Sequence, residues 1–145
     1  MLFPFMKTAR ADIKGGEGLE GLSGEALFVQ KQNGVLVTVR VKGLPSNNRS
    51  GFFALHIHEG GSCLEQGFTR TGSHFNPDSV PHPEHAGDLP PLLGAGKEAF
   101  LSVLTNRFTV KEVIGKTIVI HGGPDDFTSQ PAGNAGEKIA CGVIR

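Results

Sequence analysis

Tryptophan and tyrosine are absent from this chain, and phenylalanine, with 10 copies in 145 residues, is its only aromatic. No charge excess exists either, because 14 Lys plus Arg face 14 Asp plus Glu. Nucleic acid and an anionic membrane surface both call for a basic surplus, so neither is expected as a partner. No stretch approaches the ~18 consecutive apolar residues of a membrane span. The opening residues 1–7 are apolar, but they are too short for a secretory core and no basic stretch precedes them. Compartment therefore stays undecided at this level. The cysteines number two, Cys63 and Cys141. They form no C-x-x-C pair, which removes a zinc knuckle or a thioredoxin-like motif. Nor does any segment keep a 3.6-residue apolar period over three turns, so no substantial helix is expected.

What is present suits strands and turns. Gly (21) and Pro (9) are plentiful, and the length fits a single domain spanning residues 1–145. Apolar and polar residues alternate from Arg10 to His58 between glycine-rich breaks. Residues 24–30 and 34–42 read as two strands joined by a turn, with Val35, Val37, Val39 and Val41 on one face. Residues 51–58 resume as a strand, and strand texture returns at 99–103, 117–121 and 138–144. Residues 59–98 lose all periodicity, and 122–137 form a second irregular segment. Loops of such length in a small domain usually carry function. The expected fold is all-β, about eight short strands in a sandwich or barrel with two large loops.

All six histidines fall at strand ends or in these loops. His56 and His58 flank Ile57 at the end of a strand, so their imidazoles share a face and can converge on one metal. His74, His82, His85 and Asp88 offer three imidazoles and a carboxylate, a four-coordinate N/O set suited to zinc. Calcium or magnesium would want more oxygen. Pro81, Pro83, Gly87 and Pro90 argue against a helix there, so a metal that crosslinks the loop is the better account of its order. His121, ending another strand, gains weight because no histidine is scattered elsewhere.

In these residues the chain resembles the copper–zinc superoxide dismutases, in a bacterial form. The resemblance is carried by His56-Ile57-His58-Glu59, by Ser73-His74-Phe75-Asn76-Pro77, and by His85-Ala86-Gly87-Asp88-Leu89. Gly133-Asn134-Ala135-Gly136 and Ala140-Cys141-Gly142-Val143-Ile144 complete it, all in the family's order. It implies an eight-stranded Greek-key β-barrel and superoxide as substrate, converted to dioxygen and hydrogen peroxide by copper redox cycling. It also implies copper on His56, His58, His74 and His121, and a structural zinc on His74, His82, His85 and Asp88, with His74 shared. Asp125 aligns with an acid that hydrogen-bonds one ligand of each metal, and Cys63 with a loop cysteine that pairs with Cys141. A disulfide favours the periplasm or the extracellular space over the cytoplasm. A homodimer is left open, because dimer contacts in this fold use different faces.

Catalytic roles fall to His74, as the bridge, and to position 138, where the family usually has arginine. Lys138 keeps the charge and loses the planar fork, so lower, not absent, activity is expected. Two other classes fit parts of the pattern. One is a catalytically weak or inactive dismutase-like metal-binding or copper-buffering domain, which a dismutation assay discriminates. The other is a structural β-sandwich stapled by zinc, which would hold no copper.

Overall fold

Period-two alternation builds the first half of the molecule. In the computed structural model, which describes residues 7–145, β1 (Thr8–Gly15) buries Ala9, Ala11 and Ile13 and exposes the residues between them. β2 (Ser23–Lys31) and β3 (Gly34–Lys42) form an antiparallel hairpin with Gly34 opposite Lys31. Val35, Val37, Val39 and Val41 all point into the core, as the sequence predicts. β-Branched side chains fit such a pleated, half-buried surface well. The apolar start, residues 1–6, lies outside the described residues.

β4 (Phe52–His58), β5 (Asp88–Leu93), β6 (Glu98–Thr105), β7 (Thr117–His121) and β8 (Lys138–Val143) complete one eight-stranded sheet. Its order is β5-β4-β7-β8-β1-β2-β3-β6, and every pairing is antiparallel. Steps from β3 to β4 and from β6 to β7 jump across the sheet, in the Greek-key manner. The sheet curls into a nearly closed barrel around Phe28, Leu55, Ile57, Leu92, Ile118 and Ile120. One short helix, α1 (Val110–Val113), carries a capping box in which Thr109 and Glu112 satisfy each other's backbone N–H.

The expectation of one irregular stretch over residues 59–98 needs correction. It contains β5, the start of β6, and a 3-10 segment at Gln66–Thr71. β5 escapes detection because its sequence, DLPPLL, places Pro90 and Pro91 inside the strand. Proline is tolerated there because β5 ends the strand order and hydrogen-bonds only to β4. The long irregular loop is thus residues 59–87, and the second spans 122–137, as expected.

The long loop is stitched back onto β4. Phe75 N–H donates to Ile57 O at 2.8 Å, Ile57 N–H to Gly87 O at 2.8 Å, and Gly87 N–H to Phe75 O at 2.9 Å. Gly87 permits this approach, because a Cβ there would sit 2.3 Å from Ile57 O. The Cys63–Cys141 disulfide, which the resemblance implies, ties the same loop to β8 across 78 residues.

Candidate metal centre

β4 places His56 and His58 on one side and Ile57 on the other, yet all three are buried. Ile57 enters the barrel core, whereas the histidines point outward and are covered by the two loops. A β-bridge between His58 and His74 brings the long loop alongside. His121 ends β7, which pairs with β4, and Asp88 starts β5 directly opposite His56. All six histidines are at most 6% exposed. The six histidines therefore form one buried cluster, with Asp88 and Asp125 against it.

Hydrogen bonds fix the proton on four of these rings. A carbonyl only accepts, so His58 Nδ1 must donate to Gly72 O (2.7 Å) and His121 Nδ1 to Gly136 O (3.2 Å). The buried Asp125 carboxylate, from the second loop, accepts from His56 Nε2 at 2.8 Å and from His82 Nε2 at 2.7 Å. Burial would raise the Asp125 carboxyl pKa, but the bonds from His56 and His82 outweigh it and hold the acid below its ordinary range. Burial lowers His58 to about 2, and burial with the nearby His56 charge lowers His121 to about 3. Burial likewise lowers His56 and His85. At neutral pH these rings carry one proton each, and it is already committed on His56, His58 and His121.

The opposite nitrogens are therefore bare lone pairs. His58 Nε2 and His121 Nε2 face each other at 3.3 Å with no proton between them. His56 Nδ1 and His74 Nε2 are buried without any hydrogen-bond partner. A ring nitrogen from each of His56, His58, His74 and His121 lies within 4.8 Å of the others. With His74 Nδ1 donating to the Asp88 carboxylate, these are four acceptors without a donor, an electrostatic liability until a cation sits among them.

A second group lies on the far side of His74. His74 Nδ1 is 2.8 Å from Asp88 Oδ1 and 3.1 Å from His85 Nδ1. His82 Nδ1 lies 2.9 Å from Asp88 Oδ2 yet makes no hydrogen bond to it. Two acceptors held that close also want a cation. His85 Nδ1 lies 3.2 Å from the same oxygen. Proximity alone would also group His56 with His74, His82 and Asp88, but Asp125 occupies its Nε2, and its one free nitrogen is the Nδ1 that completes the first group. His74 alone presents one nitrogen to each group. Both sets therefore fit metals: four imidazoles match copper, and three imidazoles with a carboxylate match zinc.

Lys138 stands at the rim, half-buried, opposite His121 in the β7–β8 register. Its ammonium donates to Thr71 Oγ1 at 2.8 Å and to Gly72 O at 3.1 Å. Burial lowers its pKa.

Sequence reasoning missed several supports. Gln130 clamps His82 by its backbone, accepting from His82 N at 2.9 Å and donating to His82 O at 2.7 Å. Arg107 donates to Pro83 O and His85 O. Gly133 leaves room for Asp125, since a Cβ there would lie 2.0 Å from its Oδ1 and 2.7 Å from His82 Nε2. Of these only Gly133 has a sequence signal, as the start of Gly133-Asn134-Ala135-Gly136.

Comparison with known proteins agrees with this geometry. The family model described as copper/zinc superoxide dismutase (SODC) matches residues 22–144. A copper–zinc superoxide dismutase 2 of Aquifex aeolicus (strain VF5) is 40% identical, over 94% of this chain and 86% of that protein. A copper–zinc superoxide dismutase of Caulobacter vibrioides is 32% identical over 95% of this chain and 86% of its own length. Among solved structures, a SOD-like protein from Bacillus subtilis superimposes with a TM-score of 0.77 at 26% identity. It covers 92% of this chain, and the match covers 96% of that one. With barrel, loop-held histidines and sequence all in accord, the chain belongs to the copper/zinc superoxide dismutase family.

Proposed function

We propose that this chain disproportionates superoxide, two superoxide anions and two protons giving dioxygen and hydrogen peroxide. The observation that carries the reading is the set of four bare imidazole nitrogens facing one another, with His74 also turned to a second, carboxylate-containing set. Copper is assigned to His56, His58, His74 and His121, and zinc to His74, His82, His85 and Asp88. Copper, when bound, supplies a one-electron couple that takes an electron from one superoxide and gives one to the next, whereas zinc has no redox chemistry.

The chain's own residues do the rest. Lys138 draws the anion toward the histidine cluster and orients it. His74 Nε2, buried and free of hydrogen bonds, is the atom suited to hold a proton and release it to the departing peroxide. Asp125 locks the tautomers of His56 and His82, so one ring of each set depends on a single carboxylate. Barrel packing keeps β4 and β7 rigid beneath them.

Residues 1–145 are read as one such domain. The disulfide supports an oxidising compartment, the periplasm or the extracellular space. No helix among the described residues is long and apolar enough to cross a membrane. Metal analysis and pulse radiolysis on one sample test the reading. Copper and zinc bound together with fast, copper-dependent decay of superoxide are expected. A fully loaded sample that leaves the decay unaccelerated would overturn it.

A further inference from the structure

Thr71 is fully buried and its hydroxyl proton is committed. The hydroxyl donates to Phe68 O at 2.8 Å, and a carbonyl can only accept. Its oxygen is therefore left to accept, and the Lys138 ammonium donates to it at 2.8 Å. A second donor of the same ammonium goes to Gly72 O at 3.1 Å. An ammonium has three N–H donors. Two are held by fixed acceptors, which leaves one.

We propose that Thr71 is a positioning residue for Lys138. Its buried hydroxyl, together with the Gly72 carbonyl, anchors the ammonium beside His58 and His121 and leaves the third N–H for the incoming anion. Lysine needs such an anchor because its charge rides on a flexible four-carbon stem, whereas guanidinium is a preformed planar fork. Burial favours the arrangement, since the Thr71–Lys138 bond is charge-assisted and sheltered from competing water. Its acceptor is also rigid: Thr71 closes the 3-10 segment Gln66–Thr71, and Phe68 packs against Val119 and the Cys63–Cys141 bridge. The disulfide thus holds the turn that holds the hydroxyl that holds the cation. This inference rests on the dismutase reading, in which Lys138 meets superoxide.

Two measurements test it. Proton–nitrogen NMR of the lysine ammonium groups, on protein loaded with zinc and reduced copper, reads the anchor directly. Lys138, assigned by loss of its signal in Lys138→Met, is expected to show a slowly exchanging resonance in the wild type. The resonance should persist in Thr71→Ser and vanish in Thr71→Val. In the dismutation assay, Thr71→Val should lower kcat/KM by about threefold to tenfold, as loss of one hydrogen bond of ordinary net strength implies. Thr71→Ser should restore it, and Thr71→Val should have no further effect in a Lys138→Met background. Fast exchange of the wild-type Lys138 ammonium would overturn the proposal without any variant having to fold. So would an equal loss in the Lys138→Met background, which would make Thr71 merely a support of the turn. Failure of the wild type to dismutate superoxide strikes the functional reading instead, and the NMR result stands apart from it.

Discussion

His58 and Lys138 are joined through one oxygen atom. The Gly72 carbonyl accepts from His58 Nδ1 at 2.7 Å and from the Lys138 ammonium at 3.1 Å, filling both its lone pairs. The tautomer of an imidazole in the four-nitrogen set and the place of the rim cation thus depend on the same peptide group. A change at residue 138 is therefore expected to reach the metal centre through this carbonyl.

Lys138→Arg is expected to raise kcat/KM, because a rigid planar fork can keep the Gly72 carbonyl and still meet the anion with two N–H groups. Lys138→Met should lower it and flatten its dependence on ionic strength, since one cation at the rim is removed. Rates across a salt series check both. An unchanged rate in Lys138→Arg would mean that another cation steers the substrate.

Gly133→Ala should loosen both metals while leaving the barrel folded. The added Cβ would fall 2.0 Å from Asp125 Oδ1, at a backbone φ of +74° that favours glycine. Asp125 must then move and release His56 and His82. Loss of such an outer partner typically weakens metal binding about 10- to 100-fold. Competition with a chelator measures the change, and retained affinity would contradict the role given to Asp125.

Acid should destabilise the metal-free protein. His58 and His121 titrate at about 2 and about 3 when folded, chiefly because of burial, against about 6.5 when unfolded. Between those values the unfolded chain binds more protons, so stability rises with pH. It should be fully present above about pH 6.5 and fall steadily as the pH drops toward 3. Asp88 and Asp125 act in the same direction: burial opposes ionisation in each, but histidine hydrogen bonds win and lower both pKa values. Thermal unfolding of the metal-free protein from pH 7.5 to 4, followed by circular dichroism, should show a monotonic fall in Tm. A flat profile would count against buried neutral imidazoles.

Cys63→Ser should lower stability by as much as about 4.5 kcal/mol on the chain-entropy account of closing so long a loop. The bridge spans 78 residues. Activity should fall as well, because the freed loop carries Thr71, Gly72 and His74. Denaturant unfolding and the dismutation rate, compared in oxidised and reduced protein, check the two effects together.

The alternation of Val35, Val37, Val39 and Val41 made β3 legible, because a strand with one buried face must repeat every second residue. The same logic made His56 and His58 legible as a pair. β5 was not, since Pro90 and Pro91 mark an interior strand as impossible and only its edge position makes them harmless. His74, His82, His85 and Asp88 were readable as donors of a zinc-type set because ligand chemistry is a property of residue type. The division of all six histidines into copper and zinc groups came from family resemblance, and periodicity alone does not supply it.

Tertiary structure decided which nitrogen of each ring is free. That choice depends on carbonyls and a carboxylate distant in sequence: Gly72 for His58, Gly136 for His121, and Asp125 for both His56 and His82. A hydrogen-bond partner brought in by a loop leaves no periodic trace in sequence, because its position follows from the path of the backbone and not from an alternating face. The amino-acid sequence by itself therefore determined the kind of fold and the kind of donors. The folded chain determined the protonation, the pairing and the anchor at Thr71, because those are set by distances of about 3 Å between residues tens of positions apart.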